Sequence, residues 1–155
     1  MKPITYLLCG LPGSGKTTWA KTQEENGVLR LTLDEELFKK FGRNFASGYK
    51  EKEEQTKEVL IEVWQRNILD GNTTILDFGF WKKQERDEYK QLAEEYGSDW
   101  KLIFFDIDQK ELKARLNLRN KTNAHENHYI PEDMLNDFVH QFEVPDGEAE
   151  EIVSE

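Results

Sequence analysis

The 155-residue chain holds one cysteine, four prolines and no apolar run that approaches a membrane span. A lone Cys9 closes no internal disulfide, which fits a reducing compartment and a small core residue. A transmembrane helix needs about twenty consecutive apolar residues. The apolar run within Met1 to Cys9 is too short even for a signal peptide, so the expected location is cytoplasmic. Basic residues are scarce as well: 21 Lys and Arg against 31 Asp and Glu give a formal net charge of −10. That balance argues against binding DNA, RNA or an anionic membrane and favours a small acceptor over a polymer. There is no internal repeat, linker or low-complexity run, and the length suits one domain over residues 1–155.

What the chain does hold is Gly10-Leu11-Pro12-Gly13-Ser14-Gly15-Lys16-Thr17, followed by Thr18, between an apolar run and a helix-like segment. The spacing is that of a phosphate-binding P-loop. Glycines let backbone N–H groups turn inward around phosphate oxygens, and a side chain at Gly13 or Gly15 is expected to crowd that cradle. Lys16 can place its charge against the β- and γ-phosphates, Thr17 can offer a hydroxyl to Mg²⁺, and the helix N-terminus adds partial positive charge. A bare glycine turn between strand and helix is the competing explanation, and it does not require Lys16-Thr17 after the turn.

Either side of this loop the chain alternates strand and helix. Ile4 to Cys9 reads as a buried central strand, Val28 to Leu33 as a second that delivers Asp34, and Thr73 to Asp77 as a third that ends in another carboxylate. Lys101 to Asp106 reads as a fourth, and Glu151-Ile152-Val153 as a short last strand or none. Helices are expected from Thr18 to Glu25, Asp34 to Phe45, Tyr49 to Asp70 with Ser47 as its cap, Trp81 to Tyr96, Gln109 to Asn120 and Pro131 to Phe142. Open α/β sheets bind ligands at the carboxyl ends of their strands, which is where Asp34 and Asp77 fall. Leu37, Phe38 and Phe41 either line an acceptor pocket or cover the sheet as core. Arg115 and Arg119, four apart, share a helix face and either bind phosphates or are surface charges. His125 and His128 lie close together, but no Cys or paired acidic spacing completes a metal site there.

This constellation resembles the small P-loop kinases, and more narrowly the AAA-type ATP-binding kinases akin to zeta toxin, chloramphenicol phosphotransferase and the kinase domain of polynucleotide kinase. The resemblance rests on residues 10 to 18, Thr32-Leu33-Asp34, Asp77 with Arg86 nine residues on, Arg115 and Arg119, and Phe142-Glu143-Val144-Pro145. It implies a three-layer α/β fold with a mostly parallel sheet in the order 2-3-1-4-5, the fifth strand short or absent. It also implies Mg²⁺-ATP as donor and a lid around 109–130 that carries the arginines.

Carried over by position, Lys16 holds the β/γ-phosphates, Thr17 the Mg²⁺, and residues 10 to 18 the nucleotide. Asp34 accepts the proton of an acceptor hydroxyl, while Arg115 and Arg119 act from the lid. Asp77 serves the metal or the acceptor, Arg86 a phosphate or a sheet-end carboxylate, and Phe142 to Pro145 pack near the adenine. The implied activity is transfer of the γ-phosphate to a hydroxyl of a small molecule. The alternatives are a polynucleotide 5′-hydroxyl kinase and a nucleotide-binding regulatory ATPase or GTPase without an acceptor. For a GTPase, Asn120-Lys121-Thr122-Asn123 approaches a guanine-reading motif but ends in Asn.

Overall fold

A computed structural model describes residues 2–41, 49–121 and 130–154. The cap expected at Ser47, the His125 and His128 pair, and the part of the expected lid beyond Lys121 lie outside them. The described elements, in chain order, are β1 (Ile4–Cys9), α1 (Lys16–Glu24), β2 (Leu29–Thr32), α2 (Leu33–Phe41), α3 (Tyr49–Leu69), β3 (Thr74–Gly79), α4 (Lys83–Glu95), β4 (Asp99–Asp106), α5 (Gln109–Lys121), α6 (Glu132–Gln141) and β5 (Glu151–Ser154). The strands form one parallel sheet in the order β2-β3-β1-β4-β5. The fifth strand therefore forms: Phe104, Phe105 and Asp106 of β4 pair with Ile152, Val153 and Ser154.

Successive residues of a strand face opposite ways, and the core divides accordingly. Leu7, Cys9, Leu76, Leu102 and Phe104 meet α2, α3 and α4 through Leu37, Leu60, Trp64, Tyr89 and Ala93. Leu8, Ile75, Ile103 and Phe105 point to the other face, where Ala20 and Trp19 of α1 cover them. A third cluster joins Leu112 and Leu116 of α5 to Leu135 of α6 and Leu11 of the P-loop. A sheet buried on both faces explains why its strands read as near-continuous apolar runs. The polar Thr5 is accommodated because its hydroxyl is bonded twice, at 3.0 Å from Trp64 Nε1 and 2.8 Å from Ser98 Oγ.

Helix boundaries follow local chemistry. α1 starts at Lys16 because Gly15 takes a left-handed conformation (φ +105°) as its N-cap. α6 starts after Pro131, which has no N–H to leave unsatisfied. β2 is shorter than the sequence implies, since Leu33 already belongs to α2, and Asp34 therefore lies within the helix's first turn.

Candidate active site

The P-loop crosses the carboxyl end of β1. Gly10 N–H donates to the Gly79 carbonyl at 3.0 Å, which fixes the loop's origin to β3. Lys16 Nζ lies back along the loop and donates to the carbonyls of Gly10 (2.8 Å) and Leu11 (2.9 Å). Thr17 and Thr18 are exposed in the first turn of α1, whose N–H groups have no partner within the helix. Gly10 is required by close approach: a Cβ there would stand 2.6 Å from Ser14 Oγ, a buried hydroxyl without a hydrogen-bond partner among the described residues. Gly13 (φ +82°) is constrained otherwise than expected. Its Cβ would meet Leu116 Cδ2 at 3.2 Å and Leu112 Cδ1 at 3.3 Å, so the crowding comes from α5.

Strand register brings the two carboxylates to this loop. Thr32 pairs with Asp77, and Asp34 follows Thr32 by two residues. Asp34 is exposed, whereas Asp77 is buried. Burial pushes the Asp77 carboxyl above its ordinary range, against the pull of Lys16 and Arg30. Burial likewise pushes the Lys16 ammonium down, against the attraction of Asp77 and Asp34. The two groups compensate each other in a site that would otherwise disfavour either charge.

A cavity of about 470 Å³ opens at this point. Of the residues singled out in the sequence, Pro12, Gly13, Gly15, Lys16, Thr17, Thr18, Asp34, Asp77, Arg115 and Arg119 line it. The arginines come from α5, and Arg115 Nη1 donates to the Gly13 carbonyl at 3.2 Å while Nε faces Glu111. Gly10 and Leu11 contribute through their carbonyls to Lys16. Phe38 lines an adjoining cavity of about 750 Å³, which shares Lys21 and Glu35 with the first. Phe142 stacks on Phe104 with ring centroids 5.9 Å apart.

Arg86, read from the sequence as a substrate-side phosphate anchor or a carboxylate partner, is not among the residues that line the cavity and is paired with a carboxylate. Arg86 is fully buried, with Nε and Nη2 each 2.9 Å from the Glu148 carboxylate and Nη1 2.8 Å from the Phe80 carbonyl. Phe80 takes a left-handed backbone (φ +48°), uncommon for a bulky residue, and its carbonyl also accepts from Cys9 Sγ at 3.2 Å. Cys9 is buried and its thiol is pushed up to about 12 by that burial, in keeping with an inert core residue. Arg86→Ala leaves Glu148 buried and, among the described residues, with Lys90 as its remaining cation, so an expected loss of about 3–5 kcal/mol of stability should appear in urea unfolding. Hydrogen bonding to Arg86 holds Glu148 below the usual carboxylate range. The wild-type pair therefore contributes fully above about pH 4.3, the ordinary glutamate value, and its contribution falls as pH drops further.

Thr17 and Asp77 are hard oxygen donors around one cavity, a set suited to Mg²⁺, which takes one or two carboxylates alongside phosphate oxygens. Among the described residues no three His, Cys, Asp or Glu side chains form a dedicated metal cage. The sequence reading missed Lys21 and Glu35 as cavity residues and Arg30 as a partner of Asp77. Lys21 was legible, because it follows Thr17 and Thr18 by four and three residues on one helix face. Arg30 carried no local signal.

Comparison with known proteins bears on the fold. The sequence model described as AAA domain matches residues 6–145. No curated protein matches the chain. Among solved structures, Kti12 of Chaetomium thermophilum in complex with ADP-AlF3 superposes with a TM-score of 0.73 at 15% identity, covering 97% of this chain and 88% of that one. Pnkp1 in the Pnkp1/Rnl/Hen1 RNA repair complex gives 0.74 at 22% identity, covering 90% of this chain and 44% of the other. A gluconokinase from Sinorhizobium meliloti 1021 gives 0.64 at 16%, covering 98% and 82%. Identities this low carry the fold alone. With a P-loop between β1 and α1, a sheet in the order 2-3-1-4-5 and a family match over most of its length, the chain belongs to the AAA domain family and has its kinase-like P-loop fold.

Proposed function

We propose that the protein is an ATP-dependent phosphotransferase that moves the γ-phosphate of Mg-ATP to a hydroxyl of a small molecule. The observation that carries this reading is the convergence of Lys16, Thr17, Asp34, Asp77, Arg115 and Arg119 on one cavity. ATP would lie with its phosphates on the loop from Gly10 to Thr18. Thr17 and Asp77 would hold Mg²⁺, which supplies charge neutralisation to the phosphates. Asp34 accepts the acceptor's hydroxyl proton as its oxygen bonds to the γ-phosphorus and the bond to the β-phosphate oxygen breaks, releasing ADP. Lys16 stabilises the charge on the transferring group and leaving oxygen. Arg115 and Arg119 act from α5, the described part of the lid around 109–130.

The adjoining cavity, walled by Phe38 and opening past Glu35 and Lys21, gives an acceptor room beside Asp34. Its wall includes Glu24, Glu25 and Glu35 together with three basic residues, which suits a neutral acceptor better than a polyanionic strand. The second reading, a polynucleotide 5′-hydroxyl kinase, has the shared fold of Pnkp1 in its favour and the net charge of −10 against it. A screen of sugars, nucleosides, aminoglycoside-like compounds and 5′-hydroxyl oligonucleotides, read by ATP consumption and product mass, separates the two. Acceptor-independent hydrolysis alone would leave a regulatory ATPase.

The same assay tests the arginines. Arg115→Ala and Arg119→Ala should each lower kcat by about 10²-fold while changing ground-state ATP affinity less, because their charge matters most as the phosphoryl group transfers. Full rates in both variants would return them to surface charges.

A further inference from the structure

Arg30 lies in β2 with its side chain only 7% exposed, and its guanidinium faces three carboxylates from three elements. Nε pairs with Glu24 at the end of α1, Nη2 lies 2.8 Å from Glu35 in the first turn of α2, and Nη1 lies 3.4 Å from Asp77 in β3. Glu35 adjoins Asp34, and Asp77 and Glu35 both line the P-loop cavity, while Arg30 lies in the wall of the adjoining one. One planar fork thus spans the gap between the strand-end carboxylate and the helix turn that carries the other. A surface cation has no need of this geometry: it would be satisfied by Glu24 alone.

We propose that Arg30 is a positioning residue that fixes the spacing between Asp34 and Asp77 by tying β3 to the first turn of α2 through Asp77 and Glu35. The consequence for chemistry rests on the phosphotransferase reading; the mechanical tie does not. Lysine keeps the charge but is a point donor on a flexible stem, and it cannot bridge three carboxylates in fixed geometry.

The test compares wild type, Arg30→Lys and Arg30→Met. Backbone hydrogen exchange is read at Leu37 to Phe41, whose amides bond to the carbonyls of the first turns of α2. Exchange there should rise about tenfold or more in Arg30→Lys, with β4 and α4 unchanged, because α2 has lost its anchor. Per folded molecule, kcat should fall about tenfold or more while calorimetric affinity for ATP stays within about threefold, and Arg30→Lys should not rescue Arg30→Met. Unchanged exchange in α2, unchanged kcat per folded molecule, or a uniform rise in exchange over the whole protein each overturns the proposal. If Arg30→Met does not fold, Arg30→Lys decides. A wild-type protein with no phosphoryl transfer sinks the kinase reading, and the exchange comparison still tests the tie.

Discussion

Lys16→Ala should lower phosphoryl transfer by at least about 10³-fold and weaken Mg-ATP binding while the protein stays folded. Among the described residues the side chain hydrogen-bonds to its own loop, through the carbonyls of Gly10 and Leu11, and it belongs to none of the three apolar clusters. Its removal therefore opens no cavity in the core. It does leave the buried Asp77 without the cation that most opposes its neutralisation, so the Asp77 carboxyl should rise further. Calorimetry is the decisive measurement: an Ala variant that binds ATP with unchanged affinity contradicts phosphate binding by this loop.

Asp34→Asn should keep ATP binding and lose about 10²–10⁴-fold in transfer rate, the usual contribution of a general base. Asparagine preserves the shape and removes the charge. The competing role is structural: an acidic residue in the first turn of a helix favours the macrodipole by about 0.3–1 kcal/mol. Asp34 shares that turn with Glu35 and Glu36, so the helix would lose little on substitution. A near-wild-type transfer rate in the Asn variant would leave Asp34 with only that role. Normal binding of Mg-ATP with stalled transfer is the expected result, measured under the same acceptor at saturating nucleotide. The exposure of Asp34 beside buried Asp77 suits the division of labour, since a base must reach an incoming acceptor.

Gly10 to Thr18, the alternation of apolar runs with helical segments, and the carboxylates closing the second and third strands were determined by the sequence alone. Each is a local pattern: a loop spacing dictated by backbone geometry, a period of two or an apolar run dictated by burial, a charge at an element's end. The sheet order followed from the resemblance that those patterns support. Tertiary structure alone decided the rest. Arg86 and Glu148 lie 62 residues apart in sequence, and only folding shows that the arginine closes on the tail instead of on a phosphate. Gly13 owes its constraint partly to Leu112 and Leu116, about a hundred residues on, and Arg30, whose partners Glu24 and Glu35 lie in the helices flanking its strand, gains Asp77 from 47 residues away. The last strand, four residues with Ile152 largely exposed, was legible in the sequence only as one of two alternatives. It forms because β4 presents an edge for it to pair with, and because the Arg86–Glu148 pair anchors the chain just before it.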